Sequence, residues 1–114
     1  MKDIAAPPQT QTESHGQQIA AVTVPVREVT DHRRNYPASR ISFHLELTCT
    51  RLEGLSAFCR CLEATGLGMV SLKAEANGTI YCVLLDDRHV DLSHLARDLN
   101  EVAILDRWTT QIEL

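Results

Sequence analysis

From Ile41 onward, apolar and polar side chains follow two alternating periods. Ile41, Phe43, Leu45, Leu47 and Cys49 are separated by Ser42, His44, Glu46 and Thr48, a period of two that predicts a half-buried strand ending at Thr50 or Arg51. Residues 52–65 change to a spacing of three and four. Leu52, Leu55, Phe58, Cys59 and Leu62 form one stripe, and Glu53, Arg60 and Glu63 point away from it. Gly66 follows at once, where a helix favours a residue that tolerates positive φ. Residues 69–76 alternate again through Val70, Leu72, Ala74 and Ala76, and Asn77-Gly78 is a hairpin signal. The near-continuous apolar run of residues 79–85 predicts a central strand. Asp91 is placed to cap a helix over 92–102 with Leu92, Leu95, Leu99 and Val102 buried. A last strand over 104–113 is expected to turn Ile104, Trp108 and Ile112 inward, with Asp106 and Thr110 interrupting that face.

The resulting order, strand–helix–strand–strand–helix–strand, predicts an α+β, ferredoxin-like βαββαβ sandwich. Its four-stranded antiparallel sheet carries two helices on one face. The first and third strands, which are the most apolar, take the centre. With both helices on one side, the other face of the sheet is open. The run Ile80–Leu85 must then present either Tyr81, Val83 and Leu85 or Ile80, Cys82 and Leu84 to that face. The set Tyr81, Val83 and Leu85 is the candidate interface, because exposed apolar patches mark contact surfaces.

Upstream the pattern dissolves. Residues 1–18 are rich in Pro, Gln, Thr and Ser and hold too little apolar surface to offset chain entropy. Residues 19–26 are more apolar and could add an edge strand or dock on a partner, although Pro25 removes a ladder donor. Residues 27–40 return to charge and turn formers, with Tyr36-Pro37 read as an extended link. Residues 1–40 are therefore expected to be a flexible tail and linker, and residues 41–114 the folded domain. A core of this size keeps much of its surface wet, so pairing with a second chain is expected.

Charge and cysteine usage narrow the partners. Residues 1–40 carry five Lys/Arg against four Asp/Glu, and residues 41–114 carry six against eleven, giving +1 and −5 and summing to the chain's −4. An acidic domain repels phosphate, so nucleic acid is not an expected partner. No apolar leader opens the sequence and no stretch has the length of a membrane span. Cys49, Cys59, Cys61 and Cys82 form no CxxC pair and lie in apolar stretches, which points to reduced thiols in a cytoplasmic protein.

Candidate chemistry is sparse. His15 and His32 fall in the tail, His44 on a polar strand face, and His89 and His94 five apart, so no metal-ligand spacing emerges. Cys61 is the more exposed helix thiol, but no neighbouring histidine in sequence activates it. Asp86, Asp87 and Asp91 lack the turn glycine and terminal Glu of a Ca²⁺ loop. A non-catalytic domain without a cofactor is expected. One junction stands apart: Thr50, Arg51, Glu53, Gly54 and Leu55 lie where the first strand enters the first helix. A helix N-terminus with an adjacent arginine can seat a carboxylate, and a glycine there permits close approach. A plain strand-to-helix turn accounts for the same residues.

Over residues 41–113 the chain resembles an ACT domain, through the βαββαβ order, the Gly54-Leu55 step into the first helix and the Thr65-Gly66-Leu67 exit. The stretches Phe58-Cys59-Arg60-Cys61-Leu62, Met69-Val70-Ser71-Leu72 and Leu99-Asn100-Glu101-Val102 are similar to the small regulatory subunits of acetolactate synthase. At the ligand loop, where ACT domains commonly read acidic-x-Pro-Gly, this chain has Arg51, Leu52, Glu53 and Gly54, so only the glycine matches. The resemblance implies a regulatory domain that pairs side by side or face to face, as a homodimer or as a subunit of a larger enzyme. It also implies an amino acid or similar small anionic effector held near the first loop. The alternatives are an interaction module without a small ligand and, behind it, a metal-binding domain.

Overall fold

A computed structural model describes residues 22–49 and 51–114 of the chain. The order is α1 (Val26–Asn35), β1 (Arg40–Thr48), α2 (Leu52–Thr65), β2 (Gly68–Ala74), β3 (Thr79–Leu85), α3 (Leu92–Val102) and β4 (Ile104–Glu113). The strands form one antiparallel sheet in the order β2-β3-β1-β4, with β1 and β3 central. From β1 onward this is the α+β, ferredoxin-like arrangement that the periodicity predicts, and α1 is an addition in front of it.

The core lies between the sheet and the helices. Ile41, Phe43, Leu45 and Leu47 of β1 alternate with partly exposed neighbours, as do Ile80, Cys82 and Leu84 of β3. Paired in register, Leu45 opposite Cys82 and Phe43 opposite Leu84, they form the floor of the core. Phe58 and Leu62 of α2 and Leu92, Leu95 and Leu99 of α3 close it from above. Trp108 is fully buried, its ring centroid 4.9 Å from that of Phe43, and its Nε1 donates to Thr110 Oγ1 at 2.9 Å. That bond gives a partner to Thr110, the buried polar side chain of the sheet's helix side. Gly66 ends α2 at φ 81, in the left-handed conformation expected of it. The Asn77-Gly78 hairpin is a tight turn closed by Gly78 N–H on the Glu75 carbonyl, with Gly78 alone of the turn residues at positive φ. It is the three-residue loop with a glycine bulge rather than a two-residue loop.

The structure corrects the sequence reading at four places. Residues 26–35 are helical where a charged, extended link was expected, and Val24 and Val29 are buried in the core. The fold therefore begins before residue 41; the expected flexible tail over 1–18 lies outside the described residues. In β4 the inward residues are Leu105, Trp108, Thr110 and the half-buried Ile112, so Trp108 and Ile112 face the core as expected, whereas Ile104 is 63 % exposed. The cause is a bulge at Asp106. Glu46 pairs with Arg107 and Leu47 with Leu105, so one β4 residue is skipped and the inward phase shifts by one. In β2 every residue is exposed, and Val70 is the extra residue of a second bulge, between Met69 opposite Leu84 and Ser71 opposite Val83. In α2 Leu52 is 81 % exposed, while Cys61, read as the more exposed thiol, packs against the core.

The added helix is fastened by charge. Arg33 forms a two-pronged pair with Asp86, Nε to Oδ2 at 2.9 Å and Nη2 to Oδ1 at 2.6 Å, and its Nη1 donates to the Val90 carbonyl at 3.1 Å. From the facing loop, Arg88 sits at φ 72 and donates to the carbonyls of Arg33 and Tyr36 at the end of α1 and of Ser39 in the link to β1. Two arginines thus reach across one gap in opposite directions.

Phe58 anchors α2, and Leu52 begins the same helix in solvent. Urea unfolding is expected to show Phe58→Ala costing about 3–5 kcal/mol, and Leu52→Ala changing stability by about 0.5 kcal/mol at most. Similar costs for the two would mean that α2 is not held by its buried stripe.

Candidate functional site

The strand-to-helix junction sits at the end of the sheet where β1 leaves the core. Arg51 occupies the N-cap in extended backbone, φ −131 and ψ 148, and its side chain caps nothing. Its carbonyl accepts from the N–H groups of Gly54 and Leu55. Its guanidinium turns to Glu53, Nη2 to Oε2 at 2.9 Å, in a pair that is well exposed on both sides. Arg51 holds the Glu53 carboxyl below the usual range, helped by the backbone N–H of Glu53 itself. The chain's own carboxylate therefore lies at the amide end of α2, where an effector carboxylate was expected.

Gly54 is also spent internally. A Cβ there would come within 3.2 Å of Cys49 Sγ and 3.5 Å of the Val102 carbonyl oxygen. The close approach that the glycine permits is between α2 and the end of α3. Leu55 is half-buried against the core, and Thr50 lies outside the described residues.

Two clefts flank this junction, with Arg51 on the rim of both. One, of about 340 Å³, runs from Thr48, Cys49 and Gly54 to Asn100 and Ile104. The other, of about 390 Å³, lies on the β2 side among Leu52, Leu55, Ala74, Ala76 and Ile80. The predicted residues Arg51, Glu53, Gly54 and Leu55 are thus brought together. The second wall of each cleft, from the α3–β4 join and the β2–β3 hairpin, carries no local sequence signal, because it is assembled from distant segments.

On the open face of the sheet, register settles which set of β3 faces outward. Tyr81, Val83 and Leu85 share it with His44, Glu46, Lys73 and Arg107. Tyr81 is 40 % exposed, whereas Val83 and Leu85 are half-buried among their neighbours. The Lys73 ammonium stands 5.9 Å from the centre of the Tyr81 ring. A shallow trough of about 400 Å³ crosses this face between Tyr81, Glu46, His44 and Arg107.

Other chemistry-bearing groups are engaged within the fold. Asp87 accepts the N–H groups of His89 and Val90, and Asp91 caps α3 by accepting from the Ser93 N–H at 3.0 Å. The Ser93 hydroxyl and N–H hold the Asp91 carboxyl below its usual range. His44 lies 3.4 Å from the Ser42 hydroxyl and His94 2.9 Å from Arg97. Among the described residues, no group of three or more His, Cys, Asp or Glu side chains is placed to hold a metal ion. No helix of the described residues is long and apolar enough to cross a membrane.

Burial pushes the Cys49 and Cys61 thiols up, with Cys59 adding to the first and Asp98 to the second. Cys61 shares a recess between α2 and α3 with His94 and Asp91, a neighbour the sequence spacing did not suggest. A raised thiol is nevertheless the opposite of what a nucleophile requires. Burial, with Cys59 nearby, takes the Cys82 thiol up to about 11.

The chain matches no protein-family model, no curated protein and no solved structure.

Cys82 is 1 % exposed on the core side of β3. With iodoacetamide at neutral pH, it is expected to react only as fast as the domain unfolds, behind the half-buried Cys49, Cys59 and Cys61. Peptide mapping of a time course reads this order directly. Native-state labelling of Cys82 at the rate of the other three would contradict the packing described.

Proposed function

We propose that this is a non-catalytic, ACT-like regulatory domain that works as a homodimer, pairing through the β2 edge. The observation that carries the proposal is β2 itself. It is an edge strand with all seven residues exposed among the described residues. Met69, Val70 and Leu72 are 48, 59 and 37 % exposed, and Lys73 is the strand's one charge. Exposed edges of this kind pair with another strand unless charge, proline, a bulge or a cover blunts them, and of these β2 has Lys73 and the bulge at Val70. The opposite edge, β4, is blunted in that way by Asp106, Arg107 and Glu113. An antiparallel strand is self-complementary about a two-fold axis, so a second copy meets the same hydrogen-bonding pattern that it offers.

The open face supports pairing less well. Tyr81, Val83 and Leu85 are ringed by His44, Glu46, Lys73 and Arg107, and an antiparallel sheet can leave such a face to water. Sedimentation equilibrium separates the two modes. The wild-type chain is expected at twice its formula mass, and the double substitution Val70→Lys with Leu72→Lys is expected to bring it to the monomer mass. Val83→Glu on the open face is expected to leave the dimer intact. A wild-type monomer at high micromolar concentration would remove dimerisation. A monomer produced by Val83→Glu alone would move the interface to the open face.

A second reading, favoured by the position of Arg51 between two clefts, adds a small anionic effector such as an amino acid. Glu53 already neutralises Arg51, so an incoming carboxylate must displace it. Glu53→Gln removes that competitor while keeping the side chain's shape. Thermal unfolding against the amino acids at millimolar concentration is expected to show a larger stabilisation of Glu53→Gln than of wild type by the same compound. If no amino acid shifts either protein, the interaction module without a small ligand remains.

A further inference from the structure

The segment ahead of β1 is attached to the domain in an unusual way. Helix α1 is ten residues long, shorter than the roughly 12–15 at which isolated helices become even marginal in water. Its sequence, Val-Arg-Glu-Val-Thr-Asp-His-Arg-Arg-Asn, sets four strong helix formers, Arg27, Glu28, Arg33 and Arg34, among six weaker ones, and no side chain caps its N-terminus. It does not stand by itself. Its apolar attachment consists of Val24 and Val29, which are buried, with Val22 and Val26 partly so. Four valines near one helix are a thin anchor against the entropy of ordering some fourteen residues.

The remainder of the attachment is the arginine clamp. The Asp86 side chain is fully shielded from solvent, and the Arg33 side chain is 18 % exposed. Asp86 also accepts the Arg88 N–H at 3.0 Å, which fixes the loop that carries Arg88. Arg88 holds its positive φ while its guanidinium gathers the carbonyls of Arg33 in α1, of Tyr36 at its C-cap and of Ser39 in the link to β1. One carboxylate thus organises both arginines. Neither arginine contributes to the strand pairing of the sheet, and the apolar side chains that α2 and α3 bury on it, Phe58, Leu62, Leu92, Leu95 and Leu99, belong to those two helices.

We propose that α1 is a latch, held shut by the Arg33–Asp86–Arg88 clamp, which opens as a unit of its own while the four-stranded domain stays folded. Opening withdraws Val24 and Val29 from the core and releases the Val90 carbonyl from Arg33.

Hydrogen exchange followed by mass spectrometry on the full chain tests this. Amides of Val29 to Tyr36 are expected to exchange at least tenfold faster than those of β1 and β3. Asp86→Asn, which keeps the shape and removes the charge, is expected to speed α1 exchange a further tenfold or more without changing β1. Arg33→Lys keeps the charge but not the two-pronged geometry and is expected to act in the same direction. Equal exchange of α1 and β1 in the wild type would show one cooperative unit and overturn the latch. Unchanged α1 exchange in both variants would overturn the clamp as its fastener. Should Asp86→Asn unfold the whole domain, Arg33→Lys decides: release of α1 alone supports the latch, and loss of β1 protection refutes it.

Discussion

The pairing of β1 with β3 is the constraint on which the rest of the structure depends. It sets Ile41, Phe43, Leu45 and Leu47 beside Ile80, Cys82 and Leu84 as one continuous apolar floor. A single-residue slip between these strands would turn that floor to solvent, so their register is strongly specified. Every other element adapts to it. Helices α2 and α3 cover the floor, and Gly54 lets the start of one approach the end of the other. Strand β4 must present Leu105 next to Leu47 and Trp108 next to Leu45, three residues against two. The bulge at Asp106 absorbs the difference, and the Asp106 carboxylate is bound there by the Thr48 hydroxyl at 2.6 Å.

The same constraint leaves β2 behind. Two helices suffice to cover the central pair and the β4 side, and the floor ends at β3. Met69, Leu72 and Ala74 lie on the helix side of the sheet yet remain exposed among the described residues. A sandwich of this width carries its imbalance at one edge, and a second copy placed there would extend the sheet without disturbing the core. That is why the edge, rather than the open face, bears the proposal of pairing.

Much of this was legible in the chain because alternation and helical spacing report burial directly. The ladder from Ile41 to Cys49, the run from Thr79 to Leu85, the Leu92-Leu95-Leu99 stripe and the Gly66 stop all appear where their patterns put them. The misses share a physical cause. A bulge adds one residue to a strand and inverts the phase beyond it, so Ile104 and Leu105 exchanged places and Val70 left the line of Leu72 and Ala74. Nothing local marks such a residue before the partner strand is known. The α1 helix was a different kind of miss. Val22, Val26, Val29 and Arg33 follow helical spacing, and Pro25 stands where helices commonly begin. The density of charge hid the pattern, since this helix is fastened in part by an ion pair with a loop more than fifty residues away. At the junction, the grouping of Arg51, Glu53, Gly54 and Leu55 was readable, but not that Glu53 would turn back onto its own helix.

That last detail bears on what kind of partner the domain suits. A binding site for a small anion needs donors that the protein has left unspent. At the α2 entrance, Arg51 and the Glu53 N–H are engaged by Glu53, and Gly54 is filled by Cys49 and the Val102 carbonyl. In the loop before α3, Asp86, Asp87 and Asp91 all accept hydrogen bonds from their own surroundings. The backbone of an edge strand is different, because its outward N–H and C=O groups have no partner within the fold by construction. Their needs are met by water or by another strand, and the exposed Met69, Val70 and Leu72 favour the strand, since pairing removes apolar surface as well as satisfying the backbone. Polar groups at both loops that are engaged by their own surroundings, and an edge backbone flanked by apolar side chains, fit the pairing proposed above better than a small-anion site.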